Sequence, residues 1–397
     1  MRILFLTPQA PDPRRGGAAI RNWHLIDAAR NAGHHAHLIT FGDPHGECGV
    51  AKATFLPHPP KRPAWRRLRD LVMSREPDLA HRLRSAAMHD AIAGLLHDEG
   101  IDLIQVEGLE MWPNLPDTTV PIIYDAHNAE ATLQRRMALR ALNSRAILAA
   151  LYSLIQWRML RRYEAAVVRA AATTVAVSPS DARALHRLDA DASIVTIPIG
   201  VDTTYFSPQA VGVDGFDAYD VVFTGTLDYR ANTDAALWLA RAIWPRVRER
   251  LPDARLALVG QNPTDAIKRL DGRDGITVTG TVADDRPYMA HAGVYVLPIR
   301  VGAGVRVKLL NAMSMGCAIV ATAQACEGVA VEDGRDLIAA STCASSFADA
   351  IIDLLDDAEC RKRLGDVARA RMIAAYDWSA VTPRVLELYA RWGTPDG

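Results

Sequence analysis

Short apolar runs alternate with longer stretches of helical period along most of the chain. In the first half, residues 3–7 read as a buried strand, followed by a glycine-bearing loop and a helix over about 18–32. Gly33 stops that helix, and residues 37–41 give the next strand. Apolar runs at 103–106, 122–125 and 174–178 repeat the pattern, each followed by helix-like sequence or a turn. Strands apolar on both faces and separated by helices imply parallel βαβ units. Residues 194–208 break the pattern with Pro, Gly and Asp and read as a linker. A second series starts at 221–224 and continues at 255–259, 276–279, 294–298, 318–322 and 337–339. Its helices fall over 232–250, 286–292, 305–315, 345–356 and 359–375. A last helix over 381–392 carries Val385, Leu388, Tyr389 and Trp392 at helical spacing, so it packs against something.

The predicted fold class is therefore α/β, with two doubly wound Rossmann-like domains facing a ligand cleft at the carboxyl ends of their strands. The first domain covers 1–205 and the second 217–378, with a final helix at about 380–397 crossing back onto the first.

Composition narrows the class. A net charge of -1 argues against a general nucleic-acid binder, whose domain would be strongly basic. Cys48, Cys317, Cys326, Cys343 and Cys360 are odd in number and scattered, which fits a reducing compartment and offers neither a zinc site nor a disulfide framework. The first apolar run ends at Pro8, too short for the core of a signal peptide, and no run reaches the length of a spanning helix. The expectation is a soluble, cytoplasmic protein. Charge is nevertheless uneven. Residues 132–170 hold Arg135, Arg136, Arg140, Arg145, Arg158, Arg161, Arg162 and Arg169 against a lone Glu164. This stretch is either a solvated arginine-rich face or an amphipathic surface for anionic lipid, to which 63–75 adds Trp65 and Leu68 as anchors.

The densest chemistry lies in VLPIRVGAGVRVKLLNAMSMGCAIVAT. A strand ends, a loop with Gly302 and Gly304 follows, and a helix starts near Val305. Free backbone donors and the helix dipole converge at such a place and favour an anion. Arg306 and Lys308 fall in that first turn, where the dipole disfavours cations, so their presence makes sense if an anion is bound there. In the first half, Gly16 and Gly17 open a helix after the first strand and allow close approach of a phosphate or acceptor. His127 ends a buried strand, whereas His34, His35 and His37 read as structural and not as metal ligands.

The blocks PQAPDPRRGGAAIRNWHL, YDAHNAE, VSPSDARAL, IPIGVD, FTGTLDYRANTDA, LVGQNP and EGVAVEDGRDLI, together with the glycine-loop segment, occur in an order that resembles glycosyltransferase family 4 enzymes of the GT-B fold. More narrowly the chain is similar to sugar transferases of bacterial exopolysaccharide (PEP-CTERM) systems. The resemblance implies a retaining transfer from a nucleotide diphosphate sugar to a glycan or lipid-linked acceptor, without a metal or other cofactor. It implies a donor site at Gly225, Arg230, Asn232, Thr279, Gly280, Thr281, Gly302, Gly304, Val305 and Asn311, with the base near 279–282 and the ribose near Asn311. His127, Arg306 and Lys308 take the catalytic roles, and Gly16 and Gly17 the acceptor side. Two departures stand out. The family's pair of glutamates is replaced by Ala303 and Asn311, and its Arg and Lys after the first strand of the second domain are replaced by Thr226 and Ala231. Arg306 and Lys308, assisted by Arg230, are expected to supply that missing charge. The rival readings are a nucleotide-sugar 2-epimerase-like isomerase, a catalytically weak binding partner and a hydrolase of the glycosidase type. No paired carboxylates support the last.

Overall fold

The computed structural model describes residues 1–14, 16–43, 50–143, 147–212, 218–302 and 304–393. Cys48, Arg145 and Ala303 lie outside them, as do the side chains of Leu68 and Arg140. The chain divides into two compact units, one of Met1–Ile199 with Val381–Gly397 and one of Gly200–Ala380.

The first unit is built on β1 (Arg2–Thr7), α1 (Gly17–Asn31), β2 (His35–Phe41), β3 (Lys52–Leu56), α2 (Ala64–Met73), α3 (Ala86–Asp98), β4 (Leu103–Glu107), β5 (Ile122–Ala126), α4 (Glu130–Asn143), α5 (Ile147–Ala170), β6 (Thr173–Ala176), α6 (Pro179–His186) and β7 (Ile194–Thr196). The strands form one parallel sheet in the order β3-β2-β1-β4-β5-β6-β7. Leu4, Leu6, Ile104 and Val106 pack against Met88, Ile92 and Leu95 of α3, while Tyr124 and Ala126 pack with Leu160, Val167 and Val168 of α5. Those residues share one face of the sheet; on the other, Phe5 meets the Tyr389 ring edge-on and Gln105 bonds its hydroxyl, so both faces are covered and the strands read as continuous apolar runs.

The second unit contains β8 (Tyr219–Thr224), α7 (Arg230–Trp238), α8 (Trp244–Arg250), β9 (Leu256–Val259), α9 (Asp265–Lys268), β10 (Ile276–Gly280), α10 (Arg286–Ala290), β11 (Ala292–Leu297), α11 (Val307–Ser314), β12 (Ile319–Thr322), β13 (Ile338–Ala340), α12 (Ala344–Asp356) and α13 (Ala358–Ala375). Its parallel sheet has the order β10-β9-β8-β11-β12-β13. The last helix, α14 (Trp378–Ala390), starts three residues earlier than its apolar spacing predicts.

Several sequence expectations need correction. Residues 194–196 are not linker: Ile194, Val195 and Thr196 form β7, which pairs with β6. The helix expected over 232–250 starts at Arg230 and is interrupted by a π-helical turn at Leu239–Ile243, just before Pro245, which lacks the N–H needed to continue an α-helical ladder. The helix expected from 305 begins at Val307. Gly304 has φ 85° and Arg306 is extended, so the loop runs two residues further than the pattern suggests. Glu164 is not part of a solvated face. Its carboxylate is fully buried and accepts the backbone N–H groups of Glu130 (2.8 Å) and Ala131 (2.9 Å), capping α4. Burial pushes it up to about 8 against those two donors.

Candidate functional site

In both sheets the strand order reverses beside the first strand of the unit, between β1 and β4 and between β8 and β11. Such a reversal opens a crevice at the carboxyl ends of the strands, where ligands bind in open α/β sheets. Each unit places a polar cluster there.

In the second unit the cluster is cationic. β8 ends at Thr224 and the chain turns at Gly225, whose φ is 152°. A Cβ at Gly225 would come 2.5 Å from Lys308 Nζ and 2.8 Å from Asn232 Nδ2, so only glycine leaves room for both groups. Lys308 lies in the first turn of α11, and its ammonium donates to Thr224 O (2.7 Å) and Asn232 Oδ1 (2.8 Å) while standing 4.7 Å over the Phe223 ring. Asn232 is fixed in turn by donating to Thr226 O (2.9 Å). Burial and the neighbouring Arg306 charge lower Lys308 to about 7, with Asp285 acting in the opposite sense. A half-buried cation held by a carbonyl and an amide oxygen is solvated by dipoles, and it would gain from an anion.

The loop after β11 is pinned from several sides. Arg300 makes a two-pronged pair with Asp234 (2.8 and 3.1 Å) and stacks 4.6 Å over Trp238. Gln324 donates to Gly302 O and Thr322 Oγ1 to Ile299 O. Gly302 has φ 107°, and a Cβ there would meet the Arg306 guanidinium at 2.7 Å. Asn311 is three residues beyond Lys308 on α11, hence on the same helix face, and is half-buried.

Of the residues predicted for this unit, the donor residues Gly225 and Asn232 come together with the catalytic candidate Lys308, and Gly302 with the catalytic candidate Arg306. Gly304 and Val305 precede α11 instead of opening it. Arg230 opens α7 with an exposed side chain. Thr279 and Gly280 end β10, two strands away from β8, with Thr279 Oγ1 donating to Gly280 O (2.9 Å) and Thr281 exposed beyond them.

In the first unit the cluster carries both signs. Gly16, with φ 77°, is the residue before α1, and Gly17 is the helix's first residue. Gly16 lines a cavity of about 390 Å³ together with Gln9, Ala10, Asp12, Phe41 and His58. One turn into α1, Arg21 is 1% exposed; its Nε donates to Asp125 Oδ2 of β5 (3.0 Å), Nη2 lies in ion-pair contact with the same oxygen (2.8 Å), and Nη1 donates to Pro198 O (2.8 Å). His127 follows β5, and its Nε2 meets Glu107 Oε2 at 2.8 Å. Glu107 ends β4 and is fully buried. Gln105 Nε2 donates to Glu107 Oε1 (2.6 Å), and the Asn22 amide nitrogen, turned toward the carboxylate, donates to Oε2 (2.9 Å). Gln105 Oε1 accepts the hydroxyl of Tyr389, which α14 brings in. Burial opposes charge on His127, but the Glu107 bond, the Glu107 charge and the Asp125 charge outweigh it, and the ring is raised above its ordinary value.

Glu107, Asp125 and His127 offer ligand atoms within 4.8 Å of one another. A metal ion does not fit them well, because the Arg21 guanidinium sits on Asp125 Oδ2 as a fixed cation and the Asn22 and Gln105 amides hold both Glu107 oxygens, which leaves only Asp125 Oδ1 without a partner among these carboxylate oxygens. Sequence reasoning singled out His127 and missed Arg21, Asn22, Gln105, Glu107 and Tyr389. Their contacts span 104 residues for Arg21 with Asp125 and 284 for Tyr389 with Gln105, and no local spacing signals them.

Comparison with known proteins agrees with this architecture. Residues 15–205 match the family model described as Glycosyltransferase Family 4. Residues 218–357 match the one described as Glycosyl transferases group 1. The phosphatidyl-myo-inositol mannosyltransferase of Mycolicibacterium smegmatis is 30% identical over 213 residues, 52% of this chain and 53% of that protein. A GDP-mannose-dependent alpha-(1-6)-phosphatidylinositol monomannoside mannosyltransferase of the same organism is 28% identical over 220 residues, 50% of this chain and 56% of that protein. The chain thus spans about half the length of the curated relatives it matches. Among solved structures, sucrose-phosphate synthase from Thermosynechococcus elongatus has a TM-score of 0.74 at 19% identity, over 98% of this chain and 99% of that one. Anabaena HepE in complex with UDP has a TM-score of 0.67 at 16% identity, over 98% and 100%. Likeness at these identities shows the fold, two Rossmann-like domains.

Proposed function

The chain belongs to glycosyltransferase family 4, and on that premise we propose that it moves a sugar from a nucleotide diphosphate donor onto a glycan or lipid-linked acceptor, with retention, in surface or exopolysaccharide synthesis. The observation that carries this reading is the Lys308 ammonium laid against Gly225 at the switch point of the second sheet. A half-buried cation beside a glycine turn suits the diphosphate of a departing nucleotide, and charge on the leaving group is the main demand of the reaction. Lys308 and Arg306 meet the diphosphate, with Arg230 assisting from the start of α7. Asn311 offers its amide to the ribose, and residues 279–282 border the base. These side chains supply the neutralising charge that the chemistry requires. In the first unit, the Gly16 cavity takes a polar part of the acceptor and His127 offers a ring nitrogen to an oxygen of the substrate.

The finer reading of the acceptor as lipid-linked rests on three helices of the first unit. Trp65, Met73, Met137, Leu139, Leu142, Ile147 and Leu151 on α2, α4 and α5 are seven of the eleven exposed large hydrophobics among the described residues. The guanidiniums of Arg66 and Arg69 lie 5.3 and 5.9 Å from the Trp65 ring. Apolar side chains beside arginines are what an anionic membrane surface attracts. Among the described residues no helix is long and apolar enough to cross a membrane, so the contact proposed is peripheral.

Thermal stabilisation of the purified chain by UDP, GDP and ADP tests the donor site. Selective stabilisation by one of them is expected, followed by sugar transfer when the matching nucleotide sugar and a lipid-linked acceptor are supplied. No shift with any at millimolar concentration would overturn the donor reading. Stabilisation without transfer would favour the binding-partner reading, which Asn311 at the position of a family glutamate keeps in view. For the membrane contact, co-sedimentation with vesicles of anionic lipid is expected and should be lost in Trp65→Glu; equal binding to neutral vesicles would contradict it.

A further inference from the structure

We propose that Glu107 is a positioning residue that keeps His127 as an imidazolium, so that His127 presents Nδ1–H as a fixed, charged hydrogen-bond donor and does not serve as a general base. The inference deepens the proposed transfer and rests on it for the identity of the ligand, but not for the state of the ring.

The geometry decides the first proton. Glu107 is fully buried, and as a carboxylate it can only accept. Its two oxygens are shared among three donors, Gln105 Nε2, Asn22 Nδ2 and His127 Nε2. Nε2 of His127 therefore carries hydrogen, and Nδ1 is the nitrogen left for a ligand, on a ring that is 20% exposed where Glu107 is at 0%. Gln105 cannot turn away from Glu107 to take another partner, because its own oxygen is held by the Tyr389 hydroxyl. The carboxylate is thus clamped from β4, α1 and α14 together.

Charge decides the second proton. The groups facing the ring are Glu107 on β4, Asp125 on β5 and Arg21 on α1, with Glu130 of α4 acting from further away. Glu107 and Asp125 bring two negative charges and Arg21 one positive charge, so a neutral ring leaves the buried cluster at -1 and an imidazolium brings it to zero. Burying uncompensated charge is costly, and a proton on His127, the one member that reaches solvent, removes it. The direction of the His127 shift agrees, since the Glu107 bond overcomes the opposing effect of burial. A ring so held is a poor base and a strong donor, suited to an oxygen that gains negative charge.

The test is a pH titration of the full chain labelled with 15N-histidine, with the His127 signals assigned by their loss in His127→Asn. Both ring nitrogens of His127 are expected to be protonated at pH 7, with a midpoint above pH 7. In Glu107→Gln the midpoint should fall by at least one pH unit, a tenfold loss of preference for the charged form. A neutral His127 at pH 7 in the unaltered protein overturns the proposal, whether or not the variant folds. So does an unchanged midpoint in a folded Glu107→Gln. If transfer is found, kcat should fall as pH rises through that midpoint with KM nearly constant; a rise would mean a base and would also overturn it. If no transfer is found, the titration still decides the state of the ring, and the failure belongs to the proposed function alone.

Discussion

The two switch points share a strand order and differ in how their charges are settled. In the first unit, Arg21, Asp125, Glu107 and His127 sit in a mesh of side-chain hydrogen bonds in which nearly every charged group already faces an opposite one. In the second, Lys308 is held by a carbonyl and an amide oxygen and feels the Arg306 charge more strongly than the opposing Asp285 charge. The first cluster pairs its charges internally, with Asp125 Oδ1 left as a buried acceptor without a hydrogen-bond partner. The second is the one to which the proposed diphosphate would bring negative charge. Removing a charge from the first should therefore damage the fold, while removing one from the second should damage binding and leave the fold intact.

The largest effect expected is that of Arg21→Met, which strands Asp125 in a buried setting and should cost about 3–5 kcal/mol of stability. Chemical denaturation with separate probes in each unit checks this, and an equal loss in both units would break the distinction. Lys308→Met should weaken nucleoside diphosphate binding by roughly ten- to a hundred-fold, with no loss of thermal stability in the absence of ligand. The sign with pH follows from the lowered Lys308 value of about 7. The unfolded chain holds this proton up to about 10.5, so the penalty for burial is present in full below 7 and relieved as pH climbs to that value. Stability should rise across that window in the parent and less so in Lys308→Met, and calorimetry at pH 8 in two buffers should show a proton taken up as the diphosphate binds. Gly225→Ala forces a side chain into a φ of 152° and against Lys308 and Asn232, which should cost about 1–3 kcal/mol and reduce nucleotide affinity with it. Asn311→Glu is the smallest change. A charged acceptor should tighten the ribose contact a few-fold, by roughly 1 kcal/mol, in a titration with the nucleoside diphosphate.

The same contrast explains what the sequence could and could not say. The sheets were legible because strands buried on both faces leave apolar runs such as ILFLT, which no helix period accounts for. The cationic site was legible as well. Gly225, Asn232, Gly302, Arg306 and Lys308 lie in two contiguous blocks, and local spacing reveals a loop that feeds a helix. The start of α11 was misplaced by two residues because the pattern does not show that Gly304 takes a positive φ. The mixed-charge cluster was almost invisible. Glu107 reads as the end of an apolar strand, Arg21 as a helix-face cation and Tyr389 as part of an apolar stripe. Only the fold brings α1, β4, β5 and α14 together. Short strands suffered for a different reason: the three residues of β7 are too few to show an alternation before Pro198 interrupts them.

The bond from Tyr389 to Gln105 also sets an order in time. These two residues are 284 positions apart, and the whole second unit is translated between them. At a synthesis rate of about 5–20 residues per second, roughly 15–60 s pass between making the acceptor and making its donor. During that interval the nascent first unit holds Gln105, and through it the Glu107 carboxylate, without the clamp that α14 later supplies. The unit that is made first is therefore the one that is finished last.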